Sequence, residues 1–472
     1  MTSSTKRFIV GNSYGHHDGA AAVIDLGGRI LFAEHTERET GVKHDHHRYI
    51  TPELRQYRSE AVEVFHERPF VKNLRRWWSG ESKISRPIAD RYINHHWSHA
   101  AASYYTRPWN CTIEPVCVVI DAIGEFDTAS VWYHKKKVAS VTYPLSVGLF
   151  YSAVTKSLGL RPNRDEHVVM AMSAHGEVND YLFTHYKEQY ALGCHQGIEA
   201  TPFSVSPNDT AATAQHFLEQ QVLEIMNIAR EYSDYLCYSG GVALNVKANT
   251  LVHSMFRGTW IMPNPGDAGA ALGCAAAVLD KKLIWETPYL GSYIHSEENP
   301  YEIARSILDD GAVGLLAGRG EFGPRALGNR SLLADPRVAN VLGNTPSQRT
   351  GEEIVRKIKG RRDICPLAPM IMEEHVEKYF TGPTSEYMSF LATANENVPS
   401  SVKAIDNTSR VQVVPSHSTQ LHRKVLEEWY ELTNCPMLIN TSFNLQDQPM
   451  PAHRMSNSVH REFESKHGIR VY

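Results

Sequence analysis

His95 and His99 stand four residues apart in His95-His96-Trp97-Ser98-His99, a spacing that on a helix sends both imidazoles out of one face. Two aspartates follow near glycines: Asp121 ends the apolar run of CVVIDAIG, and Asp267 lies in NPGDAGAALG. Two imidazoles and two carboxylates suit a divalent transition metal, Fe or Zn ahead of Mg or Ca, with Fe(II) the first choice. An i, i+4 histidine pair alone is more often an ordinary surface or core feature, so its meaning depends on the elements around it.

Those elements are legible as strands. Residues 7–35 read as three strands split by turns (RFIVGNS, HHDGAAAVID, RILFAEH), with Gly27-Gly28 closing a hairpin. A second run from about residue 116 repeats the pattern: VCVVIDAIG, TASVWYH, a lysine turn, then VASVTYPL. Two similar meanders predict an internal duplication, as in the α/β fold of actin-like and sugar-kinase-like (ASKHA) ATPases. The segment 211–230 is an amphipathic helix leading into the strand DYLCYSGG. A chain of 472 residues exceeds one hydrophobic core. The polar stretch 288–302 reads as a linker, giving domains at 1–290 and 300–472.

A net charge of −4 excludes a global basic field for nucleic acid. Seven cysteines without CxxC spacing read as reduced core thiols. With no secretory h-region and no long apolar span, the expectation is a cytoplasmic protein with no membrane segment. Asp45 to Arg48 (DHHR) reads as a solvated loop. One segment departs from the average. Arg68 to Arg86 carries Arg68, Lys72, Arg75, Arg76, Lys83 and Arg86 around Trp77 and Trp78. It is open to two readings: a nucleic-acid contact made of cations and stacking rings, or a basic helix with its tryptophans on the core.

Several blocks together resemble the O-carbamoyltransferase family, which includes nodulation-factor and tobramycin carbamoyltransferases. They are HDGAAAVID, HHWSHAAASYY, GLFYSAVT, SGGVALNVKAN, NPGDAGAALG, EFGPRALGNRSLLADPR and INTSFN, spread over nearly the whole chain. The resemblance implies an ASKHA-type domain similar to threonylcarbamoyl transferases, followed by a smaller YrdC-like domain. ATP and carbamoyl phosphate are the implied co-substrates: the second domain makes carbamoyl-adenylate, and the first passes the carbamoyl group to an acceptor hydroxyl.

By the same resemblance His95, His99, Asp121 and Asp267 match the metal ligands. His17 beside Asp18 is the candidate general base, with His16 competing. Gly240, Gly241 and Asn245 fit a turn near the nucleotide, against the plainer reading of a tight strand-to-helix connection. Arg325, Lys359, Arg410 and Ser442 match positions that hold carbamoyl phosphate and ATP, with Asn440 and Thr441 beside them. Arg330, Arg361 and Arg362 are further cations on offer for phosphate. The family's K-V-M-G-L-A-P-Y-G begins with Val168 here, and its R-P-F-A-P begins with Cys365, so two expected cations are missing.

The acceptor stays open between the hydroxymethyl group of 5-hydroxymethylcytosine in DNA and a sugar hydroxyl of a small natural product. Another ASKHA-fold transferase or kinase is the more distant reading, and a homodimer is compatible with the sequence.

Overall fold

The computed structural model describes residues 6–15, 17–110, 112–194, 197–198, 205–337, 350–360, 364–453 and 463–472. The chain divides into two compact units: one runs to Thr36 and resumes at Asp45–Thr287, and the other comprises Glu37–His44 with Pro288–Tyr472.

The first unit is built on two five-stranded sheets. One contains β1 (Phe8–Ser13), β2 (Ala20–Asp25), β3 (Ile30–His35), β4 (Ala61–Phe65) and β5 (Arg91–Tyr92), in the order β3-β2-β1-β4-β5. The other contains β6 (Val116–Ile120), β7 (Asp127–Tyr133), β8 (Lys136–Thr142), β9 (Tyr235–Ser239) and β10 (Gly258–Ile261), in the order β8-β7-β6-β9-β10. In each sheet a three-strand antiparallel meander is extended by two parallel strands. Order and direction agree strand for strand, so the duplication read from the two meanders is present in the sheets. Ile9, Val10, Val118, Val119 and Ile120 are among the buried strand residues that drive this burial on both faces.

The helices His95–Thr106 and Ala270–Leu279 pack against each other. Small residues permit that approach: a Cβ on Gly273 would lie 1.7 Å from the Ser98 carbonyl oxygen. This contact fixes the first helix, which carries the histidine pair.

The second unit has a six-stranded sheet. Its members are β12 (Ala312–Leu316), β14 (Arg330–Ala334), β15 (Ala368–Met372), β19 (Gln412–Val414), β20 (Met437–Ser442) and β21 (Arg470–Val471), in the order β19-β15-β20-β14-β12-β21. A pair, β11 (Tyr289–Ile294) with β13 (Gly318–Glu321), and a small sheet of β16 (Phe380–Thr381), β17 (Ala392–Ala394) and β18 (Thr408–Ser409) complete it. Trp429, on the helix Leu421–Thr433, is buried with Ile303, Leu438 and Met370 in one core layer.

Two expectations need correction. The stretch 288–302 is not a linker: Tyr289–Ile294 is strand β11, and Pro300 opens the helix Pro300–Asp310. Leu290, Ser292 and Ile294 of that strand are buried and Tyr293 is exposed. Nor is Asp45–Arg48 simply solvated: Asp45 is buried, and its carboxylate accepts from the His47 amide at 2.8 Å. Among the described residues no helix is long and apolar enough to cross a membrane. The described cysteines are free thiols, and Cys111 lies outside the described residues.

Candidate metal centre and anion site

Asn94 caps the histidine helix, its side chain accepting from the Trp97 amide at 2.8 Å. The cap starts the helix at His95, so both imidazoles leave from its first turns. His95 Nε2 lies 3.1 Å from Asp121 Oδ2 and 3.5 Å from Asp267 Oδ1. His99 Nε2 lies 3.1 Å from Asp267 Oδ1 and 3.7 Å from Asp121 Oδ2, and the two Nε2 atoms are 3.2 Å apart. Separations of this size are the edges of a coordination shell whose ligands stand roughly 2.1 Å from one centre. Two like imidazole nitrogens facing each other at 3.2 Å, with both carboxylates converging on the same point, fit a shared cation.

Two of the four candidate ligands are oriented from behind. His99 Nδ1 meets the Pro265 carbonyl oxygen at 3.1 Å, which leaves Nε2 for the centre. Asp121 Oδ1 accepts from the Gly241 amide at 3.0 Å. The turn needs glycine at 240, where φ is +97° and a Cβ would lie 2.2 Å from the Ile120 carbonyl oxygen. Burial pushes His95 down, but its hydrogen bond to Asp121, the nearby Glu67 carboxylate and the charge of Asp267 overturn that and lift it to about 10. Burial would raise Asp121; bonding to His95 and the imidazole charges around it hold its carboxyl well below the usual range.

Residues that sequence reasoning missed stand behind the pair. Glu67 Oε2 is 3.7 Å from His95 Nδ1 and accepts from Lys72 Nζ at 2.6 Å, with both partners buried. Burial holds neighbouring His66 at about 3 and keeps it neutral. His96 faces away from the centre, its Nδ1 on Ser130 Oγ at 2.7 Å. No local pattern marks Glu67, because its meaning depends on a histidine 28 positions onward.

His17 Nδ1 sits 2.9 Å from Asp18 Oδ2. Burial lowers the imidazole's pKa, but the Asp18 bond and charge and the charge of Asp267 raise it to about 9. His16 lies outside the described residues. Asn245 is occupied locally: its Oδ1 caps the helix Val246–Met255 through the Ala248 amide, and its carboxamide pairs with Gln215. Gly241's amide likewise bonds Asp121 Oδ1.

In the second unit Lys359 is buried, and its ammonium reaches Ser442 Oγ at 3.0 Å, the Asn444 carbonyl oxygen at 2.9 Å, the Ser442 carbonyl oxygen and Asn444 Oδ1. Asn440 lies two residues before Ser442 on the same face of β20, and alternation puts Thr441 on the other. Asn440 Nδ2 donates to the Ala326 carbonyl oxygen at 3.0 Å, which brings the residue after Arg325 onto this face. Arg410 lies between β18 and β19, two residues before Gln412, whose Oε1 accepts from Asn440 at 2.6 Å.

The loop bearing Arg325 is wound on Glu321: its buried Oε1 accepts from the amides of Leu327, Asn329 and Arg330 at 2.8, 2.9 and 3.1 Å. Arg330 is not an anion site. Fully buried, its guanidinium donates to carbonyl oxygens including those of Pro451, Ala317 and Ser292. Arg361 and Arg362 lie outside the described residues. Arg356, unremarked in the sequence, donates to the Cys365 carbonyl oxygen at 3.1 Å, where the family pattern has arginine.

Residues 70–276 match the family description "Carbamoyltransferase N-terminus", and residues 304–467 match "Carbamoyltransferase C-terminus". The chain belongs to the carbamoyltransferase family. It is 27% identical to an uncharacterized protein of Synechocystis sp., over 94% of this chain and 92% of that one. It is 28% identical to nodulation protein NolO of Bradyrhizobium diazoefficiens, over 76% of this chain and 74% of that one. Among solved structures, full-length HypF in the phosphate- and nucleotide-bound form gives a TM-score of 0.32 at 11% identity, covering 59% of this chain and 56% of that one.

Of the two readings of the basic tryptophan segment, the one that packs its tryptophans on the core is contradicted by their exposure. Pro69–Trp78 is a helix, but its tryptophans are not on the core: Trp77 is 68% and Trp78 65% exposed, and Phe70 82%. Most of its cations are neutralised instead. Lys72 pairs with Glu67, Arg75 and Arg76 with Glu81, and Arg68 with Glu125 through Nε at 2.9 and 3.0 Å. Lys83 and Arg91 are exposed without a carboxylate partner among the described residues. Arg86 lies over the Tyr92 ring at 5.1 Å. Phe70, Arg86, Arg91, Tyr92, Ala277 and Val278 line a groove beside this helix.

Proposed function

We propose that this carbamoyltransferase works in two steps. In the first, ATP, carbamoyl phosphate and water yield carbamoyl-adenylate, phosphate and pyrophosphate. In the second, the carbamoyl group passes to an acceptor hydroxyl and AMP leaves. The observation that carries the reading is the division of chemistry: one unit gathers two histidines and two aspartates, the other an ammonium, a hydroxyl and amide groups. In this reading the second unit is the YrdC-like, adenylate-forming one. Arg325, Lys359, Arg410 and Ser442 bind phosphate oxygens by charge and hydrogen bonds.

His95, His99, Asp121 and Asp267 would hold a divalent ion, for which the donor set suits Fe or Zn and Fe(II) is the favoured candidate; when bound it supplies Lewis-acid polarisation of an oxygen. His17, oriented by Asp18, takes the acceptor's proton at the imidazole. With its pKa near 9, it acts as a base through a minor neutral fraction at pH 7.

For the acceptor we favour the hydroxymethyl group of 5-hydroxymethylcytosine in DNA. Exposed Phe70, Trp77 and Trp78 offer stacking faces, and Lys83, Arg86 and Arg91 offer phosphate contacts. A base reaching a buried centre must leave the stack. The neutralised cations of the helix and the net charge of −4 favour the second reading, a sugar hydroxyl of a small natural product.

Incubation with ATP, carbamoyl phosphate, Fe(II) and hydroxymethylcytosine-containing DNA, then mass analysis of the digested nucleosides, separates the two. A carbamoyl adduct on the modified base supports DNA. Adenylate formation without an adduct, together with activity unchanged by Arg86→Ala and Arg91→Ala, rejects it.

A further inference from the structure

Asn440 sits on β20 inside the second unit's sheet and is 2% exposed, opposite Leu333 on β14 and Ala368 on β15. Its Nδ2 donates to the Ala326 carbonyl oxygen at 3.0 Å and to Gln412 Oε1 at 2.6 Å. Gln412 is itself fixed, because its Nε2 donates to the Leu327 carbonyl oxygen at 2.7 Å. The carboxamide therefore has one orientation: reversed, its oxygen would face two acceptors. This leaves Asn440 Oδ1 buried, aimed and without a hydrogen-bond partner among the described residues.

An acceptor held in place and left unmet is costly in a folded interior, and it signals a missing donor. The surroundings indicate which donor. Side chains two apart on a strand share a face and stand about 6.5 Å from each other. Along β20 the unmet oxygen is thus followed on the same face by Ser442, which accepts from the Lys359 ammonium at 3.0 Å. The residue bonded to Asn440 Nδ2, Ala326, directly follows Arg325. A ligand lying along this face meets an acceptor at one end and cations with a hydroxyl at the other. A small acyl phosphate bearing an N–H on its acyl carbon has that polarity.

We propose that Asn440 Oδ1 reads the carbamoyl nitrogen: it accepts an N–H of the carbamoyl donor while the phosphate end lies toward Ser442, Lys359 and Arg325. The inference rests on the reading of the second unit as the donor-activating one. It assigns to Asn440 the selection of a carbamoyl over an acetyl group. Acetyl phosphate presents a methyl where carbamoyl phosphate presents NH2, so it fills the space and leaves the oxygen desolvated and unbonded. A site built to bond a substrate N–H rejects the analogue lacking it more strongly than an apolar pocket discriminates by size.

The test measures pyrophosphate release from ATP as carbamoyl phosphate is varied, with acetyl phosphate as competitor. The wild-type protein is expected to bind acetyl phosphate about a hundredfold more weakly than carbamoyl phosphate. Asn440→Ala should raise the KM for carbamoyl phosphate about tenfold or more, leave the KM for ATP unchanged, and bring the two acyl phosphates toward equal affinity. A wild type that binds both equally well overturns the assignment, as does a folded Asn440→Ala protein that keeps the preference. If the variant fails to fold, the wild-type comparison decides. A wild type that releases no pyrophosphate with carbamoyl phosphate overturns the donor reading itself, whereas release without selectivity overturns only the role of Asn440.

Discussion

Metal binding at the His95 centre should expel a proton, and its affinity should follow pH accordingly. In the metal-free protein His95 is lifted to about 10 beside the carboxylates of Asp121, Glu67 and Asp267, so at pH 7 it carries a proton on the ring that the metal needs neutral. Asp121 and Asp267 are both held below the usual carboxylate value and stay ionised throughout this range. One group therefore governs the linkage. Apparent affinity should rise about tenfold per pH unit between pH 7 and 9, or about 1.4 kcal/mol for each unit. Calorimetric titration with Zn(II) or anaerobic Fe(II), in buffers of different ionisation enthalpy, counts the protons released; the expected number is one. Glu67→Gln removes a carboxylate 3.7 Å behind His95 Nδ1, so its slope should flatten at a lower pH than that of the wild type. An affinity independent of pH, or binding with no proton released, would exclude a protonated His95 in the metal-free site.

Two further outcomes concern His422 and His17. His422 is held at about 3 by burial and by the charge of Arg423, well below its unfolded value near 6.5. The unfolded chain takes a proton that the folded one refuses, so the contribution is fully present above pH 6.5. It is lost as pH falls toward 3, by about 1.4 kcal/mol per unit. Urea midpoints at pH 7.5 and 5 should drop less for His422→Gln than for the wild type; equal drops would remove His422 from the account. For His17 as the transfer base, the rate of the second step should climb with pH and level near 9, where the imidazole becomes neutral. His17→Asn should slow that step while leaving pyrophosphate release intact, and equal loss of both steps would sink the role.

The strands and the histidine helix were legible because each is a local pattern. Short β-rich runs split by turn residues marked β1–β3 and β6–β8, and the four-residue step from His95 to His99 marked a single face. The repeated meander was enough to expect a duplicated sheet, and the motif blocks were enough to expect a carbamoyltransferase. The stretch 288–302 misled because a strand with one exposed face looks as polar as a linker when its partner, β13, is unseen. Charge pairing in the basic segment was hidden for a related reason: counting its cations could not show that Glu67, Glu81 and Glu125 pair with several of them.

The amino-acid sequence by itself determined which residues could do chemistry and which elements would carry them, since backbone periodicity is set by near neighbours. Only the tertiary structure decided where the charges meet. Asp267 stands 3.1 Å from His99 across 168 positions of chain, Glu67 reaches behind His95, and Asn440 is left with one oxygen unmet. A buried charge or amide takes its pKa and orientation from whatever group folding brings within a few ångströms, and that neighbour is usually remote in the chain.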